Sequence, residues 1–135
     1  MNARAVIHIR IESFFAEVEA GRRPGSAGMP MVVGADGDPA GRGTVAGSSP
    51  EAHERGVRDG MTLKKARQLC PEAVFVPMRL EVYEKASDEL MSLLREFSPM
   101  VESFGLDEAF IEPLSVPAQD ASVAAVNMAR EIRAA

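Results

Sequence analysis

Two segments of the sequence carry side chains that could do chemistry. The first, Ile7–Glu12, is typical of a strand with one apolar and one polar face. Its isoleucines alternate with His8, Arg10 and Glu12, which form the polar face. The second, Met100–Glu112, is typical of a hairpin with Asp107 and Glu108 just past its turn. Carboxylate oxygens are the ligands that hard divalent cations prefer, whereas a guanidinium cannot coordinate a metal. The two segments therefore combine ligands for a divalent cation with a permanent positive charge at Arg10.

Regular elements must hold these residues in place. Ser13 is a candidate helix N-cap after the first strand, with Phe14, Phe15 and Val18 at helical spacing behind it. The predicted strands cover residues 4–11, 31–34, 44–47 and 73–76, and the predicted helices cover 13–21, 79–97 and the residues from Ala118 onward, with two short helices beginning at Ser49 and Thr62. The 79–97 helix has an apolar stripe, so it is expected to pack on a sheet.

The composition is that of a small domain. With 135 residues, 46% hydrophobic content and no Trp, the chain can bury one modest core, or a core plus a small satellite subdomain. Cys70 is the single cysteine, which excludes a disulfide within the chain and predicts a buried thiol. No apolar run is long enough to span a bilayer, and the start has no signal-like segment. The sequence therefore predicts a cytoplasmic protein without a membrane partner.

The charge balance bears on nucleic-acid binding. A net charge of -5 argues against strong binding of nucleic acid by this chain alone, because phosphate contacts supply most of the non-specific affinity. The densest basic patch contains Arg55, Arg58, Lys64, Lys65 and Arg67. A solvated helical surface and a phosphate-contacting surface both fit this patch.

The order of the segments indicates a family. The strand and helix at residues 6–19 are followed by the segment Ser49–Met61, by Leu69-Cys70-Pro71 with the run Val76–Tyr83, and by the acidic hairpin. Each segment is weak evidence alone. In this order and at these distances they resemble the N-terminal part of a Y-family translesion DNA polymerase, the group that includes DNA polymerase IV. The resemblance extends from about Val6 to the last predicted helix.

The resemblance implies an α/β (α+β) fold. Residues 1–23 and 78–135 would form a palm, a sheet with helices on one face, and residues 24–77 would form a small fingers subdomain inserted into it. In the family the palm continues, and a thumb and a little-finger domain follow. The expectation from the sequence is therefore a palm and fingers fragment, or a truncated product, that holds DNA weakly.

The resemblance also implies a site for magnesium. In the family pattern Asp-x-Asp-x-Phe-Phe-Ala, the first Asp is a metal ligand; Arg10 falls on that Asp and Glu12 on the second one. Asp107 and Glu108 match the family's Asp-Glu pair. Two unit charges about 4 Å apart interact by about 4 kcal/mol at an effective dielectric of about 20, and a divalent ion near Arg10 would feel roughly twice that as repulsion. A millimolar site is worth only about 4 kcal/mol. Arg10 is therefore expected to exclude magnesium and to pair with Asp107 or Glu108, unless it is only a surface arginine.

Three further positions bear on nucleotide binding. Where the family commonly has a Tyr and an Arg that contact the incoming triphosphate, this chain has Pro50 and His53. Pro50 offers no polar group to a phosphate, and His53 is mostly neutral at pH 7. Both also fit a plain structural role, as a helix start and an exposed helical side chain. Phe15 matches the family residue that packs under the sugar and excludes ribonucleotides, although ordinary packing explains it equally well.

The turn of the acidic hairpin also differs from the family. Gly105 stands in place of a common Ser and is expected to ease the hairpin turn.

Three functions from different classes remain open at this point. The favoured one is a catalytically degenerate Y-family module in DNA repair or damage tolerance, which binds DNA and replication or repair proteins. The second is an active translesion polymerase in which Glu12 has taken over metal binding. The third is a palm-like regulatory domain that binds nucleotides. We also expect self-association through an uncovered strand edge or an apolar helix face of a truncated palm.

Overall fold

The computed structural model describes residues 6–26 and 28–112. Its elements, in chain order, are β1 Ile7–Arg10, α1 Phe14–Gly21, β2 Met31–Val33, β3 Gly47–Ser48, α2 Pro50–Glu54, α3 Leu63–Leu69, β4 Val74–Val76, α4 Leu80–Arg95, β5 Val101–Ser103 and β6 Glu108–Ile111. The helix expected from Ala118 lies outside the described residues. Within them, no helix has the length and apolar character needed to cross a membrane.

The chain divides by its internal contacts into two compact units. One consists of residues 12–83, and the other combines residues 1–11 with residues 84–135. The boundaries predicted for palm and fingers, 1–23, 24–77 and 78–135, differ from this division and stay a prediction. The mixed α/β fold expected from the sequence is confirmed.

The unit of residues 1–11 and 84–135 contains an antiparallel sheet of three described strands in the order β1-β6-β5. β6 pairs Ile111 with Ile7 of β1 and with Val101 of β5. Every second residue of a strand faces the same side. One side of the sheet therefore buries Ile7, Ala109 and Ile111 against Met91 and Leu94 of α4. The other side presents polar and aromatic residues of β1 and β6.

The unit of residues 12–83 contains a second three-stranded sheet, in the order β3-β2-β4. β2 is central, antiparallel to β3 and parallel to β4, and its three residues Met31–Val33 are all buried. Strands buried on both faces have continuous apolar runs, as Met-Val-Val does here. Cys70 lies in the core with Val32 and Leu63, so the predicted buried thiol is confirmed, and burial raises the pKa of that thiol.

Two predictions about these elements need correction. Ser13 is the N-cap residue of α1, as predicted, but the expected side-chain cap is wrong: its backbone is left-handed (φ 56°) and its side chain makes no capping hydrogen bond. Its carbonyl instead accepts from the Glu17 N–H at 2.8 Å. The strand predicted at 44–47 is also wrong: Thr44 makes an isolated bridge to Thr62, and the regular strand begins only at Gly47. Because the Val45 N–H bonds to Met61 and the Ala46 N–H bonds to Val33, the segment cannot form one continuous ladder.

The two other predicted helix caps are confirmed. The Ser49 hydroxyl accepts from the Ala52 N–H before α2, which has Pro50 in its first position, and the Thr62 hydroxyl accepts from the Lys65 N–H before α3. Each cap satisfies a backbone donor that the first helical turn leaves without a partner. Ser49 is buried, and its hydroxyl also accepts from the Met31 N–H at 2.8 Å, so one side chain ties α2 to β2.

Candidate active site

The acidic hairpin is held by backbone hydrogen bonds. The Ile11 N–H donates to the Asp107 carbonyl at 2.9 Å, and the Phe104 N–H donates to the Glu108 carbonyl at 2.9 Å. The turn between β5 and β6 contains Gly105 with φ 77°, a conformation that glycine adopts without strain, as expected from the sequence. The Ser87 hydroxyl of α4 donates to the Leu106 carbonyl at 2.6 Å. The backbone beside the two acids is therefore fixed by neighbours on three sides.

Strand register brings Arg10 directly opposite Glu108. The Arg10 Nε lies 3.6 Å from the Glu108 Oε1, which confirms the expected ion pair with the acidic hairpin. His8, two residues earlier on the same face, places its Nε2 3.6 Å from the other oxygen, Oε2. Both oxygens of Glu108 therefore face a nitrogen-bearing side chain. Asp107 is half-buried beside the turn, and its carboxylate has no ion pair within the described part of the chain.

The donor set does not fit the magnesium site that the resemblance implies. Two-metal nucleotidyl transfer requires several carboxylates that converge on the ions. Residues 6–26 and 28–112 hold no group of three or more His, Cys, Asp or Glu side chains placed to bind a metal ion. At the position opposite Glu108 the chain places a guanidinium, which brings a positive charge and no ligand atom. Glu12 is exposed in the segment that follows β1.

An aromatic pair lies on the same open face of the sheet. The rings of His8 and Phe110 stack with centroids 4.8 Å apart and planes at 21°. Phe110 is exposed although it stands on the central strand β6, between the buried Ala109 and Ile111. The sequence placed His8 on the polar face but did not single out Phe110, because a phenylalanine in a hydrophobic strand is more often a core residue.

Phe15, the candidate sugar-contacting residue, lies in the unit of residues 12–83. Its neighbour Phe14 is buried, whereas Phe15 is half-buried. The Phe15 ring stacks on Tyr83 with centroids 4.6 Å apart and planes at 27°. It also lies so close to Gly47 that a Cβ at that position would be 3.2 Å from the ring. Phe15 is therefore held between an aromatic ring and a strand without a side chain, and its role toward a nucleotide stays a prediction.

A buried carboxylate lies one helical turn after Phe15. Glu19 is fully buried and accepts from the Arg79 Nη2 at 2.6 Å, the Tyr83 hydroxyl at 3.2 Å and the Arg23 Nε at 3.3 Å. Burial alone raises the pKa of the Glu19 carboxyl, but the hydrogen bonds and charge of its partners, Arg79 first, hold that pKa below its ordinary value. The same contact with Glu19 raises the pKa of Arg79.

Sequence reasoning missed this cluster, although one signal for it was present. Glu19 lies four residues after Phe15, so the two side chains share one face of α1. A charged residue therefore stands on a helix face whose other residues are apolar and packed against the protein. A carboxylate in that position requires a cationic partner, because an unpaired buried charge is very costly. Arg79 is 60 residues away in the chain, so its identity as the partner required the fold.

Pro50 and His53, the positions matched to the triphosphate contacts, both lie on α2. Pro50 is the first residue of the helix, and its side chain is exposed. The His53 ring is also exposed, and its backbone carbonyl accepts from the Arg58 Nη1 at 2.7 Å. Their structural roles agree with a helix start and an exposed helical residue. Their part in nucleotide binding stays a prediction.

Comparison with known proteins identifies the family. Residues 9–135 match the family model described as impB/mucB/samB. The chain is 44% identical over 134 residues to a DNA polymerase IV of Alkalilimnicola ehrlichii, covering 99% of this chain and 37% of that protein. It is 39% identical over 133 residues to a DNA polymerase IV of Dehalococcoides mccartyi, covering 98% of this chain and 33% of that protein.

Solved structures agree with these sequence matches. DinB from Sulfolobus solfataricus superimposes with a TM-score of 0.83 at 34% identity, over 94% of this chain and 38% of that one. The insertion ternary complex of Dbh DNA polymerase superimposes with a TM-score of 0.74 at 33% identity, over 94% of this chain and 37% of that one. The chain thus spans between 33% and 38% of the length of these relatives. On the evidence of its fold, its acidic hairpin and these matches, the chain belongs to the impB/mucB/samB family of Y-family DNA polymerases.

Proposed function

We propose that this chain is the palm and fingers part of a translesion polymerase-like protein in DNA damage tolerance, and that it does not catalyse nucleotidyl transfer. Its place would be the cytoplasm, and its partners would be DNA and replication or repair proteins. The family membership supports the DNA-related role. The proposed loss of catalysis rests on one observation, the ion pair between Arg10 and Glu108.

The ion pair supports this proposal through charge rather than through stability. Arg10 is 65% exposed and Glu108 24% exposed, and exposed pairs of this kind contribute roughly 0–1 kcal/mol to folding. The guanidinium nevertheless keeps its positive charge at any working pH. It therefore neutralises Glu108 and repels a second cation from the same carboxylate. Family chemistry needs that carboxylate to bind a divalent ion, which would supply Lewis-acid activation of the nucleotide.

The remaining residues would still support binding without catalysis. The acidic hairpin keeps its backbone hydrogen bonds, and Phe15 keeps its packing against Tyr83. Pro50 and His53 lack the charge that an arginine would offer to a triphosphate, so nucleotide affinity would be low. These features favour a module that positions DNA or partner proteins over one that turns over nucleotides.

An active polymerase is the second candidate, and one distance favours it. The Nε–Oε1 separation of 3.6 Å is longer than a good hydrogen bond, and Arg10 is largely exposed. A side chain held this weakly could turn away and leave Glu108 to a metal ion, with Glu12 as the relocated ligand. The two candidates differ in what replacement of Arg10 does to activity. The third candidate, a palm-like nucleotide-binding regulatory domain, has no observation in its favour beyond the general layout of the sheet.

Primer extension tests the proposal. The purified chain, supplied with a primed template, deoxynucleotides and magnesium or manganese, is expected to give no product. A sharper version replaces the matching segment of the Alkalilimnicola ehrlichii polymerase with residues 1–135 of this chain. That chimera should be inactive with Arg10 and should regain extension with Arg10→Asp. Extension by the unmodified chimera would overturn the assignment. If Arg10→Asp alone stays inactive, adding Pro50→Tyr and His53→Arg tests whether the triphosphate contacts are also required.

A further inference from the structure

The unit of residues 12–83 has a cleft on its surface. Its lining residues lie between positions 39 and 71 and do not belong to the acidic hairpin. It has a volume of about 530 Å³ and opens to solvent. One wall is α3, and the other is the loop between β2 and β3. The lining residues are Pro39, Ala40, Lys64, Arg67, Gln68 and Pro71. The lining thus combines an alanine and two prolines with two cationic side chains and one amide on a single helix face.

The spacing on α3 explains why these three polar side chains converge. Arg67 and Gln68 follow Lys64 by three and four residues, so all three lie on one side of the helix. Lys65 is one residue further along than Lys64 and does not line the cleft. The facing loop is shaped by its own carboxylates. The Asp38 N–H donates to the Asp36 carboxylate at 3.0 Å, and the Ala40 N–H donates to the Asp38 carboxylate at 2.9 Å.

The two cations lack an ion-pair partner of their own. Lys64 and Arg67 are exposed and form no salt bridge with any residue that the structure describes. The acids nearest in the chain are Asp59, five residues before Lys64, and Glu72, five residues after Arg67. Glu72 is paired with Arg55 at 2.5 Å, and Asp59 does not line the cleft. Asp36 and Asp38 of the facing loop keep their negative charge, but each accepts a backbone N–H of its own loop and neither lines the cleft. The α3 side of the cleft therefore presents two cations that no ion pair with a described residue neutralises.

The lining also distinguishes between two anionic ligands. Single-stranded nucleic acid is bound by cationic grooves in which aromatic side chains stack on the bases. None of the six lining residues is aromatic. Proline rings and an alanine instead offer a surface for one aliphatic side chain. The ammonium and guanidinium pair with carboxylates as well as with phosphates, so the absence of a stacking ring is what favours a peptide. This combination fits a peptide in which an apolar residue is flanked by acids.

We propose that this cleft is a docking site for an acidic peptide segment of a partner protein. An aliphatic side chain of the peptide lies on Pro39, Ala40 and Pro71, and flanking carboxylates pair with Lys64 and Arg67. Gln68 hydrogen-bonds to the peptide backbone. This site does not depend on the state of Arg10 or on polymerase activity, so it stands or falls separately from the function proposed above.

Fluorescence anisotropy with defined probes tests the site. The main probe is a fluorescein-labelled decapeptide with one leucine flanked by aspartates; the comparison probes have serine for that leucine, or are a labelled oligothymidine of ten nucleotides. The intact chain should bind the leucine peptide most tightly. The double variant Lys64→Glu/Arg67→Glu should weaken that binding about tenfold or more, because two attractive charge pairs become repulsive. The matched control Lys65→Glu, on the same helix but outside the cleft, should change it less than about twofold.

Three results would overturn the proposal. One is the absence of saturable peptide binding up to about 1 mM. Another is equal weakening by Lys65→Glu and by the double variant, since that would mean a diffuse charge effect. The third is tighter binding of the oligothymidine than of the leucine peptide, which would make the cleft a nucleic-acid surface. Circular dichroism and melting temperature establish that each variant is folded before its binding is compared.

Discussion

The side chain at position 10 decides whether this site forms a salt bridge or can bind a metal ion. Replacing Arg10 with Asp would put three carboxylates, at positions 10, 107 and 108, around the junction of β1 and β6, because Arg10 stands opposite Glu108 in the register. We expect Arg10→Asp to bind magnesium and the unmodified chain not to. By mass action, a hundredfold excess of magnesium over its dissociation constant would stabilise the variant by about 2.7 kcal/mol, which differential scanning calorimetry would detect as a raised melting temperature.

A matched control separates a specific site from a general charge effect. Lys65→Asp makes the same change of charge on an exposed residue of α3, where no acidic hairpin is present. Its melting temperature should not depend on magnesium. If Arg10→Asp also shows no magnesium dependence, the match between position 10 and the family's metal ligand is incorrect.

Glu19 gives a pH-dependent prediction at the same scale. Its pKa is held below the ordinary value in the folded chain, so the folded state prefers the ionised form more than the unfolded state does. The stability from this carboxylate is present above the unfolded pKa of about 4.3 and is lost as pH falls through the lower folded pKa. Glu19→Gln should therefore cost about 3 kcal/mol near neutral pH, because it leaves Arg79 without its charged partner.

Urea unfolding at several pH values measures this. The difference in unfolding free energy between the unmodified chain and Glu19→Gln should be largest near pH 7 and should narrow as the pH falls below about 4. Glu17→Gln, an exposed acid on the same helix, is the control and should leave stability nearly unchanged. A constant difference across the whole pH range would mean that Glu19 contributes through packing rather than through its charge.

At the scale of elements, the contact between α1 and β3 depends on the missing side chain of Gly47. A Cβ there would meet the Phe15 ring at 3.2 Å, and a valine would add further atoms against it. We expect Gly47→Val to destabilise the chain by about 1–3 kcal/mol through overpacking. Gly21→Ala is the control, because a Cβ at that helix end meets nothing within 4 Å. It should be neutral or slightly stabilising. Chemical denaturation measures the unfolding free energy of both variants. An unfolding free energy for Gly47→Val equal to that of the unmodified chain would show that the Phe15 ring can move aside to make room for the valine.

Some elements and contacts follow from the sequence, and others do not. The caps at Ser49 and Thr62 were predictable because a hydroxyl before an apolar helical pattern has one strong local use. The pairing of Arg10 with the acidic hairpin was also predictable, because the family resemblance puts position 10 beside the Asp-Glu pair, but the sequence left open whether Asp107 or Glu108 is the partner. The strand register decides it, since Arg10 stands opposite Glu108. Ser13 has the same local signal as the other caps, but its backbone is left-handed, so its hydroxyl makes no capping bond.

The features that the sequence did not predict depend on residues that are far apart in the chain. Residues 44–46 alternate like a strand, but their hydrogen bonds go to Met61 and Val33, which lie in different segments. The partner of Glu19 is likewise distant in the chain. The cleft between α3 and the 35–43 loop required the fold, because only the loop's turns bring Pro39 toward Lys64. Local periodicity contains no information on any of these pairings.

At the scale of the whole molecule, exposed apolar residues favour self-association. Phe104 is 66% exposed and Met100 48% exposed at the β5–β6 hairpin, and β5 is an edge strand of the described sheet. Edge strands and exposed apolar side chains promote pairing between chains. We expect the average mass from light scattering to rise above that of the monomer as concentration increases, and Phe104→Asp to reduce the rise.

The control for this prediction changes an exposed apolar residue of the other unit. Met29→Asp introduces the same charge at a side chain that is 43% exposed in residues 12–83, and it should leave association unchanged. A monomer mass at every concentration would contradict the prediction of self-association. An equal effect of both variants would point to net charge rather than to the hairpin.

The burial of Tyr83 gives the molecule a built-in optical probe. The chain has one tyrosine and no tryptophan, so near-ultraviolet emission excited beyond the phenylalanine band comes from this ring alone. Its hydroxyl donates to the Glu19 carboxylate and its ring stacks on Phe15, and a carboxylate acceptor quenches phenol emission. The intrinsic fluorescence therefore monitors one hydrogen bond and one aromatic contact in the unlabelled protein, and brightening of the signal would report the opening of that cluster.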